Sequence, residues 1–165
     1  MANITLKGNP VTTIGSLPAV GTKLKDFTLV DSDMSNKSLT DFAGKKKIIS
    51  IFPSVGTGIC ATSVRHFNEE ANKLNNTVII NVSKDLPYAL KQFCGAEGLD
   101  HVKTLSDFRG SFGTDYGVTM MDNTMAGLLS RAIIVADENN TILYTEQVPE
   151  IAQEPNYDAA IAALK

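Results

Sequence analysis

The sequence predicts an α/β protein in which helices flank a mixed central sheet. Its core strands are short apolar runs rich in β-branched residues, typical of strands buried on both faces of a sheet: KIISIF (47–52), TVIINV (77–82) and RAIIVAD (131–137). Helical periodicity follows the first two runs, and such alternation indicates layered α/β architecture. The third run is followed by a turn and a further strand, so antiparallel pairing is expected as well.

The residues before the first central strand predict several short elements. ITLKGNPVTTIG alternates side-chain types on both sides of Gly8-Asn9-Pro10, which predicts an N-terminal β-hairpin outside the main sheet. The segment Asp26–Val30 predicts a short strand. Ser38–Phe42 predicts one helical turn that ends at Gly44.

Two helices are predicted after the first two central strands. The first begins near Thr57 and places apolar residues at steps of three or four, at Cys60, Val64, Phe67, Ala71 and Leu74. The second covers Leu86 to Phe93, with Pro87 in its first turn and a stop from Gly95 to Gly98.

The last third of the chain completes the sheet. HVKTLSD (101–107) predicts a short strand, and TILYTEQV (141–148) predicts the hairpin partner of RAIIVAD, joined to it by a turn at 138–140. Asn156–Lys165 predicts a terminal helix on one sheet face. With 165 residues and no linker, residues 1–165 are expected to form a single domain.

Composition excludes several classes of function. A net charge of -3 opposes nucleic-acid binding, which needs a basic surface. No stretch approaches the roughly 18 apolar residues of a membrane helix, and residues 1–20 lack a signal-peptide pattern, so a cytoplasmic protein is expected. Two cysteines are too few for a disulfide scaffold, so any bond between them would be made and broken during function.

The segment Pro53 to Cys60 carries the strongest chemical signal. It places the Cys60 thiol at the first turn of a helix, where unpaired N–H groups and the helix dipole favour the thiolate. Thr57 is close enough to donate to that thiolate and accept from a hydroperoxide, and Pro53 would shield the pocket without a competing N–H. Arg131, beside a buried run, is the candidate second cation.

Each of these residues also has a purely structural interpretation. Cys60 and Cys94 are candidates for small core hydrophobes, Thr57 for a helix N-cap and Arg131 for a structural ion pair. Only their combination favours a reactive site. A zinc site built from both cysteines, His66 and His101 matches none of the usual ligand spacings.

The motif Pro53-x-x-x-Thr57-x-x-Cys60 resembles the active-site signature of peroxiredoxins. NVSKDLPYALKQFCGAEGL (81–99) is similar to the resolving-cysteine region of one subfamily, and three later stretches resemble further blocks of it: residues 105–118, 126–137 and 148–161. The chain thus resembles the bacterial thiol peroxidases, which are atypical two-cysteine peroxiredoxins, over nearly its whole length.

The resemblance implies a thioredoxin-like fold and a specific cycle. Cys60 would reduce hydrogen peroxide and alkyl hydroperoxides through a sulfenic acid, assisted by Thr57, Pro53 and Arg131. Cys94 would resolve it as an intramolecular disulfide. The resemblance further implies recycling by thioredoxin, a homodimer and a role in redox homeostasis, with no metal, haem or flavin.

Two other functions remain open at this point. A thioredoxin-like disulfide reductase or isomerase uses a Cys-x-x-Cys pair, whereas position 57 is threonine. A non-catalytic binding module with both cysteines buried would show slow thiol alkylation, and fast selective labelling of Cys60 would exclude it.

Overall fold

A computed structural model of the chain describes residues 1–99 and 101–165. The strands are β1 (Asn3–Leu6), β2 (Asn9–Thr12), β3 (Leu29–Val30), β4 (Asn36–Lys37), β5 (Lys46–Ile51), β6 (Thr77–Ser83), β7 (Lys103–Ser106), β8 (Ala132–Ala136) and β9 (Ile142–Gln147). The helices are α1 (Gly58–Ala71), α2 (Pro87–Glu97), α3 (Phe112–Asp115) and α4 (Tyr157–Ala162), and a 3-10 turn covers Leu39–Phe42.

The main sheet has seven strands in the order β4-β3-β7-β6-β5-β8-β9. β5, β6 and β7 run parallel to one another, whereas β8 pairs antiparallel with β5 and β9 antiparallel with β8. The predicted mixed sheet is therefore confirmed. β5 lies inside it with a parallel neighbour on one side and an antiparallel neighbour on the other, which explains its apolar sequence.

Successive residues of the central strands pack into different cores because their side chains alternate between the sheet faces. Ile48 and Ile133 pack with Phe67 of α1 and Ala160 of α4, so these two helices cover one face, as predicted for the terminal helix. Ile49 belongs to the core on the opposite face.

The N-terminal hairpin forms its own two-stranded sheet, as predicted, but its turn lies earlier than expected. Leu6 pairs with Asn9, so the two turn residues are Lys7 and Gly8, and Pro10 lies within β2. Lys7 has φ 50° and Gly8 has φ 84°, the pair of positive values that a tight two-residue hairpin turn requires. Pro10 is tolerated because this small sheet has only edge strands.

Two further boundaries differ from the prediction. Only Leu29–Val30 of the expected strand Asp26–Val30 is paired, because the Asp26 carboxylate accepts the backbone N–H groups of Phe27 and Leu39 and holds the chain there out of the sheet. α2 continues past Phe93 to Glu97.

The end of α2 is set by Gly98, the last residue of the predicted stop from Gly95 to Gly98. Gly98 adopts φ 66°, a left-handed conformation that glycine enters at little cost. Its N–H and that of Leu99 both donate to the carbonyl oxygen of Cys94. Cys94 therefore lies in the last turn of the helix instead of just beyond its end. None of the described helices is long and apolar enough to cross a membrane.

Candidate active site

The junction between β5 and α1 positions Cys60. Thr57 is the N-cap of α1, and its hydroxyl oxygen accepts the backbone N–H of Cys60 at 3.3 Å. Cys60 thus lies in the first turn of the helix directly after a buried strand, as the sequence predicts. Its side chain has 0% exposure, and it packs against Phe52 and Val64.

Arg131 approaches Cys60 from the neighbouring strand. Because β8 is antiparallel to β5 and pairs Ala132 with Ile51, the residue before β8 lies beside the point where β5 ends. The Nη2 group of Arg131 donates to Cys60 Sγ at 3.2 Å, and its Nε donates to the carbonyl oxygen of Ile151 at 2.8 Å. The guanidinium of Arg131 thus contacts the thiol of a residue that is 71 positions away in the sequence.

The guanidinium of Arg131 is buried without a carboxylate. The side chain is 3% exposed, and none of the ion pairs found in residues 1–99 and 101–165 includes it. Its Nη1 atom is buried with no hydrogen-bond partner in the same residues. A buried cation of this kind stabilises an anion beside it, and the arrangement leaves a donor group of the guanidinium for a ligand.

The hydroxyl of Thr57 makes a different contact from the one predicted. It donates to the carbonyl oxygen of Ser54 at 3.2 Å while accepting the Cys60 N–H, so its single proton is not directed at the sulfur. The reason is that the side chain serves as the helix cap. A rotation of this exposed hydroxyl would redirect its proton toward the pocket.

A pocket of about 590 Å³ opens beside these residues. Its lining combines residues of the β5–α1 junction, the hairpin and the loops around residues 123 and 151: Leu6, Lys7, Asn9, Pro53, Thr57, Gly58, Ile59, Asn123, Thr124, Met125, Arg131, Ile151 and Ala152. Two of these described lining residues, Lys7 and Arg131, are cationic and none is acidic. The pocket therefore suits a ligand that has an apolar group and a centre where negative charge develops.

Cys94 lies on α2 and faces the same apolar cluster as Cys60. Its Sγ is 3.3 Å from Thr104 Oγ1 on β7, and it is half-buried. The two cysteines are not joined by a disulfide in this structure. Packing from two helices into one cluster brings the thiols into the same region of the fold while each is held by its own helix.

The two histidines take no part in this region as metal ligands. His66 stacks on Tyr157 with ring centroids 4.0 Å apart. Burial raises the pKa of Tyr157 to about 12, so the ring neighbouring the site stays neutral at physiological pH. Nowhere in the described part of the chain do three His, Cys, Asp or Glu residues converge as metal ligands would.

Asp85 organises the loop before α1, and the sequence analysis did not identify it. Its Oδ1 accepts from Ser54 Oγ at 2.7 Å, and its Oδ2 accepts from the Val55 N–H at 2.9 Å and from Ser83 Oγ at 2.7 Å. The contact could have been predicted from the order of the elements. Parallel strands β5 and β6 end at the same edge of the sheet, so the loops that follow them meet there.

Glu150 is the second residue that the sequence analysis missed. Its Oε1 accepts from the Gly8 N–H at 2.9 Å and from Thr5 Oγ1 at 3.1 Å, and its Oε2 accepts from the Ala152 N–H at 2.8 Å. These hydrogen bonds, led by those of Ala152 and Gly8, lower its pKa to about 2. No local pattern reveals them, since Thr5 and Glu150 are 145 residues apart.

The comparisons with known proteins identify the family of the chain. The model of the redoxin family matches residues 19–161. The chain belongs to the redoxin family. This redoxin is 57% identical to the thiol peroxidase of Mycobacterium tuberculosis and 50% identical to that of Corynebacterium glutamicum, in both cases over 164 residues and 99% of each chain.

Solved structures give the fold of this redoxin. A peroxiredoxin-like protein from Aquifex aeolicus superposes with a TM-score of 0.90 at 33% identity, covering 98% of this chain and 95% of the other. A thiol peroxidase from Chromobacterium violaceum gives 0.89 at 26% identity, covering 95% and 91%. The thioredoxin-like peroxiredoxin fold is thus confirmed.

The family also decides among the functions that the sequence left open. This redoxin is a peroxidase of the peroxiredoxin type, an oxidoreductase that reduces peroxides by thiol chemistry. A disulfide reductase and a non-catalytic binding module are both disfavoured. The burial of Cys60 does not by itself distinguish a peroxidase from a non-catalytic binding module, since both are compatible with a buried thiol.

Proposed function

We propose that Cys60 is the thiol that attacks hydroperoxides in this peroxidase. The observation that carries the proposal is the 3.2 Å contact between Arg131 Nη2 and Cys60 Sγ at the first turn of α1. The helix N-terminus and a buried guanidinium both stabilise a thiolate, which is the nucleophilic form of cysteine. Thr57 caps the helix that carries the thiol, and Thr57, Pro53 and Arg131 line the same pocket.

The first half of the cycle oxidises Cys60 by two electrons. The thiolate attacks the terminal peroxide oxygen, an S–O bond forms and the O–O bond breaks. The leaving oxygen takes up the proton of the peroxide and departs as alcohol or water, leaving a sulfenate that takes a proton from solvent to become the sulfenic acid. Arg131 Nη1, the unpartnered donor, is available to the oxygen on which charge develops.

The second half of the proposed cycle uses Cys94. Its thiol attacks the sulfenic sulfur, a disulfide with Cys60 forms and water leaves. Because each thiol is held on a different helix, bond formation requires local unwinding of α1 or α2. The last turn of α2 is the more favourable place, since helix ends fray at low cost in free energy and Cys94 lies in that turn.

Substrates, reductant and assembly follow from the family and the pocket. The apolar side chains of Leu6, Ile59 and Met125 favour the organic group of an alkyl hydroperoxide, and hydrogen peroxide fits as the smallest substrate. Family membership supports thioredoxin as the reductant of the disulfide. It also supports a cytoplasmic homodimer that contributes to redox homeostasis.

The proposal is tested by intact-mass spectrometry of the reduced protein after one equivalent of cumene hydroperoxide. We expect a rapid loss of two hydrogens, mapped by tryptic digestion to a bond between Cys60 and Cys94. Addition of thioredoxin with its reductase and NADPH should restore both thiols. A protein whose thiols persist unchanged would refute the proposed role of Cys60, and oxidation without a mapped disulfide would refute that of Cys94.

A further inference from the structure

The N-terminal hairpin is attached to the segment that carries Glu150 by five hydrogen bonds, one of which runs from Thr5 Oγ1 to the carbonyl oxygen of Pro149 at 3.4 Å. Two join backbone groups: the Thr5 N–H donates to the carbonyl oxygen of Pro149 at 2.8 Å, and the Ile151 N–H donates to that of Thr5 at 2.9 Å. The other two end on the Glu150 carboxylate, from Thr5 Oγ1 and the Gly8 N–H. The side chain of Glu150 thus holds the turn of the hairpin, and backbone hydrogen bonds hold strand β1.

The hairpin turn needs such an acceptor because of its conformation. Lys7 and Gly8 both have positive φ values, which is strained for lysine and costly in backbone freedom for glycine. The Gly8 N–H donates to Glu150 Oε1 at 2.9 Å. Without this carboxylate the Gly8 N–H loses the acceptor that joins the turn to the segment outside the hairpin.

The position of this turn matters because the hairpin forms one wall of the pocket. Leu6, Lys7 and Asn9 line it together with Pro53, Thr57 and Arg131. The peroxide oxygens would react beside Arg131, which contacts Cys60, so an organic substituent would occupy the rest of the pocket, of which the hairpin residues are a part. The wall therefore contributes to binding of bulky peroxides and not to that of hydrogen peroxide.

The same segment also touches the reacting centre. Ile151, which follows Glu150, supplies the carbonyl oxygen that accepts from Arg131 Nε at 2.8 Å. Oε2 of Glu150 accepts the Ala152 N–H and so closes a tight turn around that carbonyl. One carboxylate thereby links the pocket wall to the segment that orients the guanidinium.

We propose that Glu150 is a positioning residue that holds the hairpin over the pocket and so determines how well the enzyme accepts the organic group of a hydroperoxide. The inference rests on the proposed function, since it assigns a wall to the pocket beside Cys60. Glu150 itself touches neither the thiol nor the peroxide. Its effect acts through the position of Leu6 and Lys7.

The test compares two peroxides in single turnover. The rate constants for oxidation of Cys60 by cumene hydroperoxide and by hydrogen peroxide are measured in the wild type, in Glu150→Gln and in Glu154→Gln. Glutamine keeps the shape of the side chain but presents one acceptor oxygen in place of two. Glu154 is a matched control, because it lies in the same segment and its carboxylate accepts only from Tyr157 in the contacts described.

We expect Glu150→Gln to lower the ratio of the cumene to the hydrogen peroxide rate constant about fivefold, the effect of losing a hydrogen bond, and Glu154→Gln to leave it unchanged. A purely structural role would slow both reactions equally and leave the ratio fixed, which would overturn the inference. If Glu150→Gln does not fold, the same ratio of rate constants is measured in Thr5→Val, which removes one hydrogen bond to the Glu150 carboxylate. An unchanged ratio in that variant would likewise overturn the inference. A wild type inert to both peroxides would instead refute the proposed function.

Discussion

Arg131 contacts Cys60 across two adjacent strands, with Nη2 of the guanidinium 3.2 Å from Sγ. The contact exists because β8 begins beside the residue where β5 ends. The guanidinium is held at its other side by the carbonyl oxygen of Ile151. Its planar fork thus bridges a fixed backbone group and the thiol, which a single ammonium group does not do.

Arg131→Lys should slow the oxidation of Cys60 by about 10²-fold, the usual cost of removing one preorganised donor from a reacting centre. Lysine keeps the charge but lacks the forked geometry. The measurement is the single-turnover loss of thiol, followed by rapid quenching with iodoacetamide and mass spectrometry. Arg109→Lys is the control, since Arg109 is exposed and donates to Asn36. Equal rates in both variants would show that the fork is not needed.

Thr57→Val should lower the free energy of unfolding by about 1 kcal/mol, because it removes the N-cap of α1. It should also slow peroxide reduction, since the hydroxyl beside the thiol is lost. Thr57→Ser keeps the hydroxyl and should restore both properties. Thr62→Val, in the same helix, removes a hydroxyl that donates back to the Gly58 carbonyl oxygen, and it serves as the control in urea unfolding. A Thr57→Val protein as stable as the wild type would contradict the capping role.

Acid should remove the contribution of Glu150 to stability. The pKa of Glu150 is lowered from 4.5 to about 2 in the folded protein. The carboxylate therefore stabilises the fold fully at pH values above 4.5, and this contribution is lost as the pH falls through about 2. The difference in urea midpoint between the wild type and Glu150→Gln should therefore be full at neutral pH and shrink across this interval. A difference in urea midpoint that stays constant with pH would show that the ionised carboxylate of Glu150 does not stabilise the fold.

The sequence predicted the parts of the fold that local patterns determine. The β-branched runs around Ile49 and Ile134 form buried strands, as predicted. The helix-start residues Thr57 and Pro87 correctly predicted where two helices begin. Boundaries failed where a side chain competes with the expected element. The Asp26 carboxylate accepts the backbone N–H of Phe27 and keeps this part of the chain out of the expected strand. The end of α2 was predicted too early, since the helix continues past Phe93 to the last glycine of its predicted stop, Gly98.

The site was predictable where its residues follow one another and less so where they do not. Thr57 and Cys60 are one helical turn apart, so their proximity follows from the period of the helix. Arg131 was identified by its charge beside an apolar run and by resemblance. Asp85 and Glu150 were missed because their partners come from distant segments, and only the paired strands and the docked hairpin bring them into contact.

The central claim is that Cys60 is the residue that peroxide oxidises. It is tested most directly on the Cys94→Ser variant, which has no resolving thiol, by adding one equivalent of cumene hydroperoxide in the presence of dimedone and mapping the adduct. We predict a single dimedone adduct on Cys60, the signature of a sulfenic acid. A Cys60 that remains a thiol while peroxide is consumed, or peroxide that is not consumed at all, would contradict the account.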